Sequence, residues 1–125
     1  MVSYQKSQAL EPIFWGTLSP VMLMLAGNVV QVRVRGNCSL VVIDPDNAEQ
    51  SLPDPETITG TMRMLLANAA GEGLYTLSSS AKDANELSKL NNGLAVEIKQ
   101  RVEKEIVGYG LGIQSIIVET IEVMP

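Results

Sequence analysis

The sequence contains no histidine and a single cysteine. Histidine is the commonest general base and a frequent metal ligand, so its absence argues against the usual acid–base and metal chemistry. Cys38 alone cannot form an internal disulfide, and nothing therefore indicates secretion. We expect a cytoplasmic protein with no catalytic residue, no cofactor and no metal.

Aromatic residues and clustered basic residues are also scarce. One Trp, one Phe and three Tyr leave few rings for stacking on nucleotide bases. The net charge is −5, and the nine basic residues are scattered along the chain. No basic face is therefore expected for a phosphate backbone or an anionic membrane, and we predict no nucleic-acid partner.

Long apolar runs are missing as well. The stretch 20–26 is far shorter than the roughly twenty apolar residues that a membrane-spanning helix needs. It also lacks the basic residues that precede the apolar part of a signal peptide. The 46% of hydrophobic residues is instead enough to build one core, and we predict a single domain over residues 1–125.

The first half of the sequence predicts strands. Apolar runs over 13–15 and 20–25 are followed by turn residues. Over 29–35, valines alternate with polar residues, which is typical of a strand with one buried and one wet face. Gly36 and Asn37 interrupt the pattern, so we expect a hairpin whose second strand is 38–43.

The pattern also predicts whether individual side chains are buried or exposed. Arg33 and Arg35 fall on the wet face, where we expect them to be solvated or in ion pairs between subunits. Cys38 falls among β-branched residues and is predicted to be a small core residue rather than a reactive thiol. Trp15 is expected to anchor the core or an interface.

The second half predicts helices. Asp44 and Asp54 each precede a proline, the pattern of an N-cap followed by Pro at the first helical position. They predict a short turn over 44–50 and a helix over 54–70 that ends at Gly71 and Gly73. We expect a connector over 74–82.

The longest predicted element begins at Asp83 and ends near Gly108. An apolar stripe at helical spacing runs through Leu87, Leu90, Leu94, Ile98, Val102 and Ile106. Charge pairs are expected from Glu97 to Arg101 and from Arg101 to Glu105. A final strand over 112–123 is apolar on both faces. The whole order predicts an α+β fold, with an antiparallel or mixed sheet and helices packed on one face.

Several patterns that resemble chemical sites have simpler explanations. The glycines at 108, 110 and 112 follow a helix, whereas a phosphate loop precedes one, so they are interpreted as C-cap and turn glycines. Asp44, Asp46 and Asp54 are too few and too irregular for a calcium loop. Serines 78–80 have no histidine to activate them. Glu119 and Glu122, at odd spacing on a strand, are expected on opposite faces.

The order of the motifs resembles the SPFH (band 7, stomatin/prohibitin-like) domain, and within it a bacterial virion-core-protein-like branch. The resemblance rests on Phe-Trp-Gly-Thr at 14–17, the run 33–40, Ile-Asp-Pro at 43–45, Tyr-Gly-Leu-Gly-Ile at 109–113 and the closing 121–125. Cys38 stands where the family usually has an aromatic residue. Members of the family carry an anchor, a coiled coil or zinc ribbons outside this domain, so we expect residues 1–125 to be an excised domain or a reduced protein.

The resemblance implies a homo-oligomeric scaffold without catalytic residues. It implies work at or near membranes, with association through protein partners or through segments outside the chain. Candidate interface residues are Trp15, Leu94, Ile98, Ile116 and Val118. The alternatives are a domain that binds an apolar small molecule in a pocket lined by Met22, Met24 and Trp15, and an enzyme that uses carboxylates alone.

The apolar stripe predicts the effect of one substitution. Leu94→Asp or Ile98→Asp places a carboxylate among aliphatic side chains and should unfold the domain or split its assembly. Circular dichroism and light scattering measure the two effects. A folded variant of unchanged mass would show that the stripe is assigned to the wrong face.

Overall fold

The computed structural model describes residues 3–51 and 54–124. Its elements are β1 (Ile13–Gly16), β2 (Val21–Leu25), β3 (Asn28–Val42), α1 (Pro45–Ser51), α2 (Pro55–Ser78), α3 (Ala84–Leu87), α4 (Asn91–Ile106) and β4 (Leu111–Met124). All strand pairs are antiparallel, and the predicted α+β class is confirmed. In the described part of the chain, no helix combines the length and apolar character needed to cross a lipid bilayer.

Strand β3 is the centre of the sheet. Gly36 pairs with Trp15 of β1 and with Val118 of β4, and Val32 pairs with Val21 of β2 and with Val123 of β4. Because a strand has only two edges, β1 and β2 must share one edge of β3, and β4 occupies the other. The segment around Ala9 extends the first edge through a bridge to Val41.

The helices pack on one face of this sheet, where alternate residues of β3 are buried. α2 lies against β1 and β2, α4 lies against β4, and the two helices also contact each other. The shared core includes the predicted stripe residues Leu87, Leu94, Ile98, Val102 and Ile106, and Cys38 is also fully buried. The other face of the sheet carries no helix in the described residues.

The predicted hairpin at Gly36 is wrong, because β3 continues through this position without a turn. A Cβ atom at Gly36 would collide with the carbonyl oxygen of Ile117 and would lie 3.0 Å from the Trp15 ring. Glycine is therefore required by close approach of neighbouring groups rather than by a turn. The actual hairpin joins β2 to β3 through Ala26 and Gly27, whose φ angles are 52° and 83°.

The predicted end of α2 at Gly71 is also wrong, since the helix runs on to Ser78 through most of the expected connector. A Cβ atom at Gly73 would lie 2.9 Å from Leu94 Cδ1 and 3.1 Å from Glu97 Cβ. This glycine allows α2 and α4 to approach closely instead of ending the helix. The start at Asp54 is confirmed, and its carboxylate accepts a hydrogen bond from Thr57 N at 2.8 Å.

The single helix predicted from Asp83 is two helices. Asp83 caps α3 by accepting from Glu86 N at 2.9 Å, but α3 ends at Leu87 and α4 begins at Asn91. The side chain of Asn91 donates to the carbonyl oxygens of Val118 (3.0 Å) and Glu119 (3.2 Å) in β4. Those hydrogen bonds attach the start of α4 to the sheet. The longest helix of the described chain is α2 rather than the segment that begins at Asp83.

One of the two charge pairs predicted on α4 is present. Arg101 pairs with Glu97, as the spacing indicates, and its second acidic partner is Glu72 of α2 at 3.3 Å rather than Glu105. Its guanidinium also donates to the Thr76 hydroxyl at 3.1 Å. This cluster joins the outer sides of the two long helices.

The interpretation of the glycines after α4 as C-cap and turn residues is confirmed for Gly108 and Gly110, whereas Gly112 lies in β4. A 3₁₀ turn over Val107–Tyr109 ends at Gly110, whose φ of 78° is left-handed. Gly110 O accepts from Ile43 N (2.8 Å) and Asp44 N (3.0 Å), which joins this turn to the start of α1. The final strand also forms as predicted, although Pro125 lies outside the described residues.

Two glycines provide a matched test of these contacts. Gly36→Ala should lower the free energy of unfolding by more than about 2 kcal/mol, because the new methyl group collides with the neighbouring strand. Gly60→Ala, in open space on α2, should raise it by about 0.5–1 kcal/mol. Chemical denaturation measures both; equal effects would contradict the close approach at Gly36.

Candidate interaction surface

The face of the sheet opposite the helices is the candidate interaction surface. On β3 it presents Val29, Gln31, Arg33 and Arg35, all exposed, because strand residues alternate between faces. We call this uncovered side the outer face, made up of Phe14, Gly16, Met22, Met24, Val29, Gln31, Arg33, Arg35, Asn37, Ile117, Glu119, Thr120, Glu122 and Met124.

Large apolar side chains lie at both ends of the outer face. Met22, Met24 and Val29 are 53%, 60% and 54% exposed at one end, and Phe14 and Ile117 are 64% and 51% exposed at the other. Met22 and Met124 flank Gln31, whereas Phe14 and Ile117 flank Asn37. The two apolar ends are separated along β3 by roughly 20 Å, from the rise of about 3.3 Å per residue.

Charged side chains fill the middle. Arg33 lies directly opposite Glu122 across the β3–β4 ladder, and Arg35 lies opposite Thr120. Arg35 Nε donates to the Thr120 hydroxyl at 3.4 Å. The positive charges therefore lie on the central strand, and a negative charge lies beside them on β4.

The expectation that Glu119 and Glu122 face opposite sides is wrong. A β-bulge between the Arg35 and Gly36 positions inserts Glu119 as an extra residue of β4, which shifts the alternation. Asn37 Nδ2, on the outer face, donates to Glu119 Oε1 at 2.9 Å. Both carboxylates therefore border the outer face along β4.

A shallow groove of about 300 Å³ crosses the middle of this face. It lies where β1 has ended and β2 has not begun. Thr17 fills that gap in the ladder: its N–H donates to Val34 O at 2.9 Å, and its hydroxyl accepts from Val34 N at 3.2 Å. Arg33, Arg35 and Glu122 line the groove, which is open to solvent.

Both edges of the sheet are partly covered. Along β1 and β2, side chains of α2 donate to outward carbonyls, from Arg63 to Phe14 O at 2.9 Å and from Tyr75 to Met22 O at 3.2 Å. Along β4, the Asn91 amide donates hydrogen bonds to two backbone carbonyl oxygens. Two β-bulges also distort this edge. Bulges and covering groups oppose the addition of a partner strand, so the outer face is more accessible than the edges.

The predicted interface residues lie mostly inside the monomer. Trp15, Leu94, Ile98 and Val118 are at most 6% exposed and belong to the core, and Ile116 is half-buried against it. Their role in an interface stays a prediction, but the structure does not bring them together on the surface.

The apolar pocket predicted for the alternative function does not form as expected. Met22 and Met24 point to the outer face, whereas Trp15 points to the core on the other side of the sheet. The more apolar cavity, about 230 Å³, lies instead between the N-terminal segment and α2, with Leu10, Ile13 and Ile58 among its lining residues.

Phe14, Ile117 and Glu119 are the functional candidates that sequence reasoning missed. The period of two along β1 could have identified Phe14, because a buried Trp15 places its neighbour on the opposite face. Ile117 and Glu119 depend on the bulges in β4, for which the sequence carries no clear signal.

The nucleophilic side chains are engaged in structural contacts. Cys38 is fully buried, and desolvation by burial raises the pKa of its thiol from 9.0 to about 12. The hydroxyls of Ser78 and Ser79 donate to Tyr75 O (2.8 Å) and Thr76 O (3.0 Å) at the end of α2. The burial of Cys38 confirms its interpretation as a core residue.

The buried thiol predicts two pH effects. At pH 8 a thiol reagent should modify Cys38 in denaturant but not in the native protein. In the native protein, burial blocks the reagent from reaching the sulfur, and the raised pKa leaves very little of the reactive thiolate. Stability should fall as the pH rises from 9 towards 12, since the unfolded chain loses the Cys38 proton first. Rapid native labelling would contradict the burial, and Cys38→Ala controls for reaction elsewhere.

No protein-family model matches the chain. No curated protein matches it either. The resemblance to the SPFH domain therefore stays a prediction, and a functional assignment depends on the geometry of the outer face.

Proposed function

We propose that this chain is a non-catalytic assembly module that forms homo-oligomers through its outer face and acts as a scaffold. One observation carries the proposal: five large apolar side chains, each more than half exposed, share one uncovered sheet face. Single exposed apolar residues are ordinary, but a group on one face, rimmed by polar residues, is typical of interaction surfaces.

The chemistry of the outer face supports contact rather than catalysis. Its titratable groups are two arginines and two carboxylates, and Arg35 and Glu119 hydrogen-bond to neighbouring side chains of the same face. The thiol is buried on the opposite side of the sheet. A shallow groove open to solvent also gives little of the water exclusion that catalysis uses.

The size of the outer face supports an interface of modest area. Three strand positions about 4.8 Å apart and the nine residues from Val29 to Asn37, at about 3.3 Å per residue, give a surface on the order of 15 by 30 Å. Specific interfaces bury about 800 Å² from each partner. The outer face is smaller than this standard area, so we expect an association that reverses on dilution rather than a permanent complex.

Association through the outer face predicts a concentration-dependent mass. Light scattering coupled to size exclusion, from about 1 µM to about 1 mM, should show an oligomer that dissociates on dilution. Met22→Gln combined with Met24→Gln should weaken association at least about tenfold, because apolar burial is lost.

The control is Met64→Gln, at a methionine on α2 that is 56% exposed and lies away from the outer face. This variant should associate like the unchanged protein. A strict monomer across the whole range would refute the proposed function.

A further inference from the structure

The side chains of the outer face form three columns, and the differences between the columns determine how two copies fit together. The first column contains Phe14, Gly16, Met22 and Met24 on β1 and β2, the second lies on β3, and the third lies on β4. We propose that a second copy packs its outer face on the first, with a two-fold axis that runs along β3 midway between the two sheets. This inference rests on the proposed function and adds the partner and its orientation.

A two-fold axis along β3 covers the whole width of the outer face. It places β3 over the partner's β3 and exchanges the other two columns, so that β1 and β2 lie over the partner's β4. Residues that lie opposite one another across the strands form a row, and each row keeps its height along the axis. Sheets packed face to face are rotated by about 30°, which inclines the axis slightly to the strands and displaces the central rows least.

The methionine end of the outer face is self-complementary about this axis. Met22 and Met124 lie on opposite sides of Gln31 in one row, so Met22 faces the partner's Met124. Met24 lies two residues further along β2, past the described end of β4. The flexible thioether side chains of Met24 and the partner's Met124 can span that offset, so both methionines of β2 are covered.

The opposite end of the outer face is self-complementary as well. Phe14 and Ile117 lie on opposite sides of Asn37, so Phe14 faces the partner's Ile117 and apolar area is buried on both copies. Gln31 and Asn37 lie on the central column and meet their counterparts at the axis. Side-chain amides carry both donors and acceptors, so each of these pairs can form hydrogen bonds.

The groove in the middle of the outer face is placed to receive a carboxylate of the partner. It opens where β1 has ended and β2 has not begun, so the first column of the described chain has no strand residue beside Arg33. Glu122 occupies the same row in the column of β4. Because the axis exchanges these two columns, the partner's Glu122 lies over the groove.

The groove also keeps the arginines of the two copies apart. Arg33 lies over the partner's Arg33, and like charges that meet across an interface oppose association. Two extended arginines are too long for sheets about 10 Å apart, so each must bend aside. Arg33 and Arg35 line the groove, and neither forms an ion pair with another described residue. Bending into the groove therefore carries each guanidinium towards the partner's Glu122 and away from the partner's arginine.

Other two-fold axes fit this surface less well. An axis between β3 and β4 leaves β1 and β2 beyond the partner's sheet, with their methionines uncovered. An axis perpendicular to the strands at Arg33 places the groove over the partner's groove and Glu122 over the partner's Glu122. That arrangement leaves a void beside like charges. Only the axis along β3 covers all three columns and fills the groove.

Cross-linking between single cysteines locates the axis. Gln31→Cys places its thiol at the axis and should link readily with itself through a short-spacer bismaleimide. Met22→Cys and Met124→Cys lie in the two outer columns, so each should link slowly alone. A mixture of the two should link at least about tenfold faster, because the interface holds the thiols of different chains close together.

The unchanged protein and Met64→Cys are the controls for the cross-linking. The thiol of Cys38 is buried and should not react in the unchanged protein. Met64 is exposed on α2, away from the outer face, so Met64→Cys should link no faster than random collision allows. If Gln31→Cys impairs folding by circular dichroism, Asn37→Cys on the same strand should link with itself instead.

Removal of one charge tests the contact at the groove. Glu122→Gln should raise the dissociation constant at least about threefold, because the partner's arginines lose their carboxylate. Glu103→Gln, at an exposed position on α4, makes the same change in net charge and should have no such effect. Sedimentation velocity measures both constants, and equal values for the two variants would overturn the contact at the groove.

The cross-linking results separate the orientation from the proposed function. Self-linking at position 31, with linking of 22 to 124 that needs the mixture, supports the axis along β3. Met124→Cys that links as fast alone as in the mixture places the axis between β3 and β4, and an associated protein that forms neither link has another interface. Both results overturn the orientation but leave self-assembly standing. An unchanged protein that is monomeric at every concentration overturns both.

Discussion

The close approach of three strands at Gly36 is the constraint on which the rest of the structure depends. Trp15 lies over this residue from one side, and the Ile117 carbonyl approaches it from the other. A side chain there would separate the strands. Because none is present, β3 continues for fifteen residues and pairs along both edges.

The packing at Gly36 also determines which side chains lie on the outer face. The bulge in β4 beside Gly36 changes the alternation of that strand, so that Ile117 and Glu119 on one side of it and Glu122 on the other reach a common face. Burial of Trp15 beside Gly36 turns Phe14 outward. The packing at Gly36 therefore determines the composition of both the core and the proposed interaction surface.

Local patterns in the sequence predict much of this fold. The alternating valines of 29–35, the cap at Asp54 and the stripe from Leu87 to Ile106 are each produced by neighbours in sequence, and the structure contains all three. Patterns of this kind also predict correctly that Arg33 and Arg35 are exposed.

The wrong predictions concern residues whose role is set by distant contacts. The local pattern indicates a turn at Gly36 and a helix end at Gly73, but each glycine permits close packing against another element. The division between α3 and α4 depends on bonds from Asn91 to a bulge that lies far along the chain. The positions of Ile117 and Glu119 on the candidate surface could not be predicted for the same reason, because they depend on the bulges in β4.

Methionine oxidation tests the central claim, that the outer face is covered on assembly, most directly. Met22, Met24 and Met64 are similarly exposed in the monomer, but only the first two lie on the outer face. Peroxide treatment followed by peptide mass spectrometry should show all three oxidised in dilute protein. In concentrated, associated protein, Met22 and Met24 should be protected while Met64 is not. Equal oxidation of the three methionines in the associated protein would contradict the account.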